Sequence, residues 1–307
     1  MKKVYKLIPS LKDNLWGGNK LRNYGKESEA DRIAESWELS FVPGSESKLE
    51  DGRTVAEAFP RETWGKNCEK FEFFPVLTKF IDAREPLSVQ VHPDDAYALV
   101  NEGQYGKTEM WYVVDAEGED SGLYMGLNGK YTTEEFSRAV ADGSVERMLG
   151  RVGVSHGDVY FIPSRTVHAI LGGDLIFEIQ QNSTLTYRLY DYMRRDKNGK
   201  LRELHVEKAM KVTDLDVYKP AKNSTGDETL IGKCEYFETH ICKLNLSKTS
   251  IFATNDSFVS VTCVLGGGKI DGEDIRLGDT FFIPAGVGEV ELFGNEGSEF
   301  ITVSIPA

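Results

Sequence analysis

Only five histidines occur in 307 residues, so their positions narrow the chemistry the chain can do. His92 closes Leu87-Ser-Val-Gln-Val-His92, which alternates apolar and polar residues. In a strand this period of two puts Leu87, Val89 and Val91 on one face and Ser88, Gln90 and His92 on the other, with Gln90 and His92 ~6.6 Å apart along the chain. Glu109 opens a second strand-like run, Glu109–Val114, after a connection containing Gly103 and Gly106. A connection of that length allows the Glu109 carboxylate to lie beside His92. His168 follows the segment Gly157–Ser164, on what is expected to be the adjoining strand. Two imidazoles and a carboxylate from neighbouring strands form a ligand set for a divalent metal, zinc above all, with Gln90 as a weaker oxygen ligand. The spacing lacks a local zinc signature such as CxxC or HExxH. On spacing alone the metal site therefore competes with a surface scatter of solvated side chains. His156 precedes a Gly-Asp turn and His205 lies on a helical segment; these two and His240 have weaker contexts.

The elements that must position these groups are mostly strands. Ser36–Val42 alternates, and Phe74–Ile81 is a further strand-like run. Two segments break the pattern. Thr133–Val140 has helical spacing with Thr132 or Thr133 as its cap, and Leu204–Lys211 also reads as a helix, after the polar loop Arg194–Lys200. Gly157-Asp-Val-Tyr-Phe-Ile-Pro-Ser164 returns 121 residues later as Gly278-Asp-Thr-Phe-Phe-Ile-Pro-Ala285. Gly-Asp makes a tight turn, the aromatic run is a strand, and Pro ends its ladder. Two copies imply two duplicated β-barrel units. Their expected boundary is the polar stretch at 219–227, giving a first unit over 1–220 and a second over 225–307. The same offset carries His168 onto Glu289, and no histidine follows His240. The second unit is therefore expected to be metal-free.

Lys and Arg number 36 against 49 Asp and Glu, a net charge of −13. That balance argues against nucleic acid as a partner, because such binding needs a basic face. A small anion remains possible, since a local group of cations overrides the global sign at close range. No stretch approaches the ~20 apolar residues of a membrane span. Lys6, Lys12 and Asp13 interrupt any export signal after Met1-Lys2-Lys3. The four cysteines, Cys68, Cys234, Cys242 and Cys263, show no paired spacing, so free thiols and a cytoplasmic location are expected.

Ser88-Val-Gln-Val-His-Pro-Asp-Asp95 followed by Gly106-Lys-Thr-Glu-Met-Trp111 resembles the signature of the type I mannose-6-phosphate isomerases, zinc-dependent members of the cupin superfamily. Further matches are Trp16-Gly-Gly18, Ala34–Ser40, Pro163 through Ala169, Glu178–Ser183 and Thr186-Tyr-Arg188. They span residues 14 to 205, about two thirds of the chain, and with the continuation Tyr190-Asp-Tyr192 they resemble the compact bacterial branch. The resemblance implies a mainly β protein of two cupin-type jelly-roll units with short helical insertions. It implies interconversion of mannose 6-phosphate and fructose 6-phosphate through a cis-enediol, with one zinc on Gln90, His92, Glu109 and His168. It carries over Arg188 as an active-site arginine, Lys107 and Glu178 as pocket residues, and Ser88 as a serine near the substrate phosphate. Isomerisation develops charge on O1 and O2, where a Lewis acid or fixed cation helps. Glu178 is open between carbon base and supporting carboxylate. Two other functions compete: an Fe(II) oxygenase using a two-His-one-carboxylate triad, and a sugar-phosphate-binding regulator without turnover. Oxygen consumption would mark the first, and ligand binding without turnover the second.

Overall fold

The structure, a computed structural model, describes residues 3–196, 198–218 and 229–307. The expected boundary at 219–227 lies outside the described residues. The chain is mainly β, and its strands form four open sheets of seven, six, five and four strands. The sheets lie in layers rather than as closed barrels. The five- and six-stranded sheets enclose one core, in which Ile81, Trp111, Val113 and Ile176 meet Leu123, Met125 and Ile170. The seven- and four-stranded sheets enclose another, where Val261, Phe281 and Phe300 meet Ile251, Val290 and Leu292.

Between these two sandwiches the six- and seven-stranded sheets pack back to back. Phe80, Tyr112, Phe177 and Ile179 lie against Phe237, Phe282, Ile301 and Val303 in a shared aromatic core. The six-stranded sheet is thus covered on both faces. Every residue of its strands Val76–Ala83 and Asp174–Gln181 is buried, so Lys79, Asp82, Asp174, Glu178, Gln180 and Gln181 are enclosed along with their apolar neighbours. Burial on both faces also means that a charged residue in either strand must find its partner inside the protein.

Two helices, Thr133–Asp142 and Val206–Val212, cover the outer face of the five-stranded sheet. Phe136, Ala139, Val140, Ala209 and Val212 pack on Val89, Val91, Ala169 and Leu189. Thr133–Asp142 starts at a capping box, with the Thr132 hydroxyl accepting from the Glu135 N–H and the Glu135 carboxylate accepting from the Thr132 N–H. The other of these two helices, Val206–Val212, has His205 at its cap position.

The two copies of the repeat form equivalent turns. Gly157 and Gly278 take φ of 85° and 84°, a left-handed conformation that glycine adopts without strain. The Gly157 N–H donates to the Val113 carbonyl as Gly278 does to Cys263, and Asp158 and Asp279 accept the return bonds from Val113 and Cys263. The strands that follow are Val159–Ile162 and Thr280–Ile283. The two halves are also woven together. Tyr5–Ile8 pairs with Thr280–Ile283, so the first strand belongs to the sheet built mainly from residues beyond 229.

Candidate functional site

The site is built from two facing sheets: His168 lies on the strand adjoining that of Gln90, in line with expectation, but Glu109 comes from the opposite sheet, a correction to the expectation that its strand is a neighbour. On the five-stranded sheet, Arg188, Gln90 and His168 stand side by side in register across three strands. Facing them, on the six-stranded sheet, Lys79, Glu178 and Trp111 form a second row in register, and Glu109 lies one ladder step away opposite Gln180. Period-two geometry aims each row into the space between the sheets.

Gly106 makes the approach of Lys107 possible. A Cβ at that position would stand 2.5 Å from the Asp94 carbonyl carbon, and the Lys107 N–H donates to the Pro93 carbonyl at 3.0 Å. The turn after His92 is thereby closed on the start of the Glu109 strand. The Lys107 ammonium then reaches His92 Nε2 at 3.2 Å and Glu178 Oε1 at 3.0 Å, and contacts Glu109 Oε2 directly.

His92, Glu109 and His168 are at most 1 % exposed. One ligand atom from each lies within 4.8 Å of the others. His168 Nε2 is 3.1 Å from Glu109 Oε1, and His92 Nε2 is 3.7 Å from Glu109 Oε2. His168 Nδ1 is bound to the Thr166 carbonyl at 2.9 Å, which fixes that nitrogen as the protonated one and leaves Nε2 with its lone pair toward Glu109. Burial holds the His168 imidazole down to about 4, with the Lys107 cation adding to it. Burial, Lys107 and His168 hold His92 well below the ordinary imidazole range. Burial and the nearby Glu178 charge push Glu109 up against the pull of Lys107. Two neutral imidazoles thus face a buried carboxylate whose Oε1 has no hydrogen-bond donor. Gln90 extends its amide to 3.4 Å from His168 Nε2, and rotating the amide by half a turn presents its oxygen at the same place. Lone pairs converging on one point fit a divalent cation, and the mix of nitrogen and oxygen donors suits zinc.

Ser88, Gln90, Lys107, Glu178 and Arg188 line one cavity above this group. His92, Glu109 and His168 sit behind its wall, touching it through Lys107 and Gln90. Glu178 accepts from Lys107 and from Trp111 Nε1, at 2.9 Å, and lies 3.3 Å from Lys79 Nζ. Burial pushes this carboxyl up, but Lys107 and Lys79 outweigh it and hold it below the usual range. Lys79 also bonds Glu35 at 3.3 Å, and Glu35 accepts from Trp37 Nε1 and Asn14 Nδ2 at 2.7 and 2.8 Å. Sequence reasoning passed over Lys79, although a lone lysine inside the apolar run Val76–Ala83 was a visible signal. Glu35 sat inside a matching motif without a role, and Arg202, also on the cavity wall, carried no signal at all. His205 does more than its context suggested: its Nδ1 accepts the Arg188 N–H at 3.2 Å and steadies that strand. His156 binds the Val114 carbonyl and lies 3.3 Å from Glu299, and His240 lies beside Glu238, both away from the cavity.

Two paired-sheet units related by a repeat, one of which holds a buried imidazole–carboxylate group beneath a polar cavity, define a protein of the cupin class. Two family models match, "Phosphomannose isomerase type I, catalytic domain" over residues 4–117 and "Mannose-6-phosphate isomerase, cupin domain" over 227–304. The chain is 36% identical over 303 residues to mannose-6-phosphate isomerase ManA of Bacillus subtilis, covering 93% of this chain and 94% of that protein. It is 35% identical to a mannose-6-phosphate isomerase of Streptococcus mutans, over 95% of this chain and 98% of the relative. The crystal structure of the Bacillus subtilis mannose 6-phosphate isomerase superposes with a TM-score of 0.86 at 31% identity, over 98% of this chain and 99% of that one. The chain belongs to the type I mannose-6-phosphate isomerase family.

Proposed function

We propose that this chain interconverts mannose 6-phosphate and fructose 6-phosphate through a cis-enediol, with one zinc ion per chain held by Gln90, His92, Glu109 and His168. The observation that carries the reading is the buried Glu109 Oε1, without a donor and flanked by two neutral imidazoles, directly behind a cavity that also holds Arg188 and Lys107. The named activity of the relatives supplies the substrate. Held by these four residues, the metal would supply Lewis acidity for the charge that develops on the sugar oxygens.

The chain's own residues account for the rest. Arg188 is a fixed cation on the cavity wall, suited to charge that develops on oxygen in the enediolate. Lys107 presents an ammonium donor at the boundary between cavity and ligand group. Glu178 meets Lys107, Lys79 and Trp111 and is held below the usual carboxyl range, a weak base that acts by holding Lys107 and Lys79 in place rather than by taking a carbon-bound proton. Ser88 offers its hydroxyl two residues along the strand from Gln90. All these residues fall within the proposed catalytic unit over 1–220; the unit over 225–307 buttresses it through the shared aromatic core.

The test is a coupled assay of mannose 6-phosphate to fructose 6-phosphate, with and without chelator, alongside metal analysis. Turnover lost on chelation and restored by zinc supports the reading. Undiminished turnover in protein shown to be metal-free refutes the zinc assignment, and binding without turnover refutes the enzyme.

A further inference from the structure

Beyond the strand that carries Arg188, the chain doubles back on itself. Tyr192 and Met193 are consecutive residues with φ of 55° and 54°, a left-handed pair that costs energy for side chains of this size. The reversal returns Arg194 onto Asp191. An isolated bridge between Arg195 and Leu201 closes the following loop, so Arg202 returns to the same carboxylate. Asp191 is 5 % exposed and accepts from Arg194 Nη2 at 2.5 Å and from Arg202 Nε and Nη2 at 2.7 and 2.5 Å. One buried carboxylate thus gathers two guanidinium groups.

The two arginines differ in what remains free. Arg194 spends Nη1 on the Pro86 carbonyl at 2.5 Å and stacks over the Tyr192 ring, so it ties the loop down. Arg202 uses one edge on Asp191, and its Nη1 has no hydrogen-bond partner among the described residues. Arg202 and Arg188 are both on the wall of the cavity that holds Ser88. They are close enough that Arg202, after burial, is the main influence lowering the Arg188 guanidinium from its ordinary range. The acidic groups facing Arg188 are Asp191, already committed, and exposed Glu203. Three guanidinium groups against one buried carboxylate leave a surplus of positive charge, offset among the acidic groups facing Arg188 only by exposed Glu203.

The register says where this surplus lies. Arg188 pairs with Gln90 and Tyr190 with Val89, so the strand runs from the metal-ligand end toward the Ser88 end. Asp191 follows at that far end. At ~3.3 Å per residue, Ser88 is ~6.6 Å from Gln90, the scale of a sugar chain from its carbonyl carbons to its terminal carbon. We propose that Arg202, positioned by Asp191, binds the phosphate of the substrate at the Ser88 end of the cavity, and so sets the preference for a phosphorylated sugar. A dianion matches both the surplus charge and the free guanidinium edge.

This assignment rests on the isomerase reading for its substrate, so the experiment reads phosphate binding separately from turnover. Calorimetry with inorganic phosphate on the metal-loaded enzyme gives the dissociation constant for wild type and for Arg202→Ala. Steady-state kinetics give kcat/KM for mannose 6-phosphate relative to mannose. The expected result is a 10- to 100-fold weaker phosphate constant and a fall of similar size in the ratio, carried by KM rather than kcat. Arg202→Lys should recover part of both, because it keeps the charge but not the fork, and it replaces the alanine variant should that fail to fold. Asp191→Asn should weaken phosphate as well, with metal content intact. A phosphate constant within twofold of wild type in Arg202→Ala overturns the proposal. Absence of wild-type turnover overturns the isomerase reading instead, and Arg202 is then judged on the phosphate constant alone.

Discussion

Replacing Lys79 by methionine isolates one charge at the centre of the six-stranded sheet. The methionine fills nearly the same volume, so little is lost in packing. The charge it removes is shared by Glu35 and Glu178, each 3.3 Å from Lys79 Nζ. Removing one partner of a buried ion pair typically costs 3–5 kcal/mol. Glu178 keeps Lys107 and Trp111, and Glu35 keeps Trp37 and Asn14. The low end, about 3 kcal/mol, is therefore expected, and in a chain of this size it corresponds to a fall in Tm on the order of 5–10 °C. The pH dependence has a definite sign. Lys79 is one of the two cations that hold Glu178 below its usual range, so its loss raises the folded-state value. A carboxyl raised in the folded state is best tolerated when protonated, so the penalty grows as pH rises through and above the carboxylate range. Thermal melts of Lys79→Met and wild type at pH 5 and pH 8 should show the larger difference at pH 8. Adding Glu35→Gln to the variant should recover part of it. A Tm within about 2 °C of wild type at both pH values, or no recovery in the double variant, would refute the buried-pair argument.

Three further outcomes are expected. His92→Ala and Glu109→Gln should each bind well below a full equivalent of metal by atomic emission, and full occupancy in either would remove that residue from the ligand set. Arg188→Ala should keep its metal and lose kcat by roughly 10²–10³; a rise in KM alone would place Arg188 in binding rather than in transition-state stabilisation. Metal-stripped protein should lose stability as pH falls from the unfolded imidazole value of 6.5 toward the His168 value of about 4, because the unfolded chain binds the proton first. The loss from that group is roughly 3 kcal/mol, and a denaturant midpoint that stays flat between pH 7 and pH 4 would contradict it.

The strands that alternate and the paired Gly-Asp turns were legible because each is a local pattern. Leu87–His92 announced both its faces, and the 121-residue repeat fixed two equivalent turns that the structure matches bond for bond. The residues of the buried His92–Glu109–His168 group were legible as types on polar strand faces. Which sheet each belongs to was not. His168 pairs with Gln90, but Glu109 reaches them across the sandwich, and no local periodicity encodes how two sheets are stacked. Lys79 and Glu35 were obscured for a related reason. In a sheet covered on both faces a lysine looks like an interruption of an apolar run, and only the facing carboxylates reveal it as part of a network. Arg202 was the least legible, because a left-handed pair at 192–193 and a closed loop bring it back to Asp191 from eleven residues away.

The charge distribution explains why these residues divide as they do. A net charge of −13 gives a far field that repels an anionic sugar. Attraction must come from cations that the fold leaves uncompensated at contact range, where water is partly excluded and screening is weak. Lys79 and Lys107 do not qualify, since Glu35, Glu178 and Glu109 already neutralise them. No carboxylate among the described residues lies within 4 Å of the Arg188 guanidinium, and Arg202 shares its one carboxylate with Arg194. The lysines, already balanced, fit the proposed role of donors near the ligand group, where a balanced charge avoids trapping the substrate. On that proposal Arg188, level with Gln90, meets the charge that develops at the carbonyl end, and Arg202 takes the anion at the other end. A sugar phosphate bound as proposed would be oriented by that asymmetry, with its carbonyl end toward Gln90 and Lys107 and its phosphate toward Ser88 and Arg202.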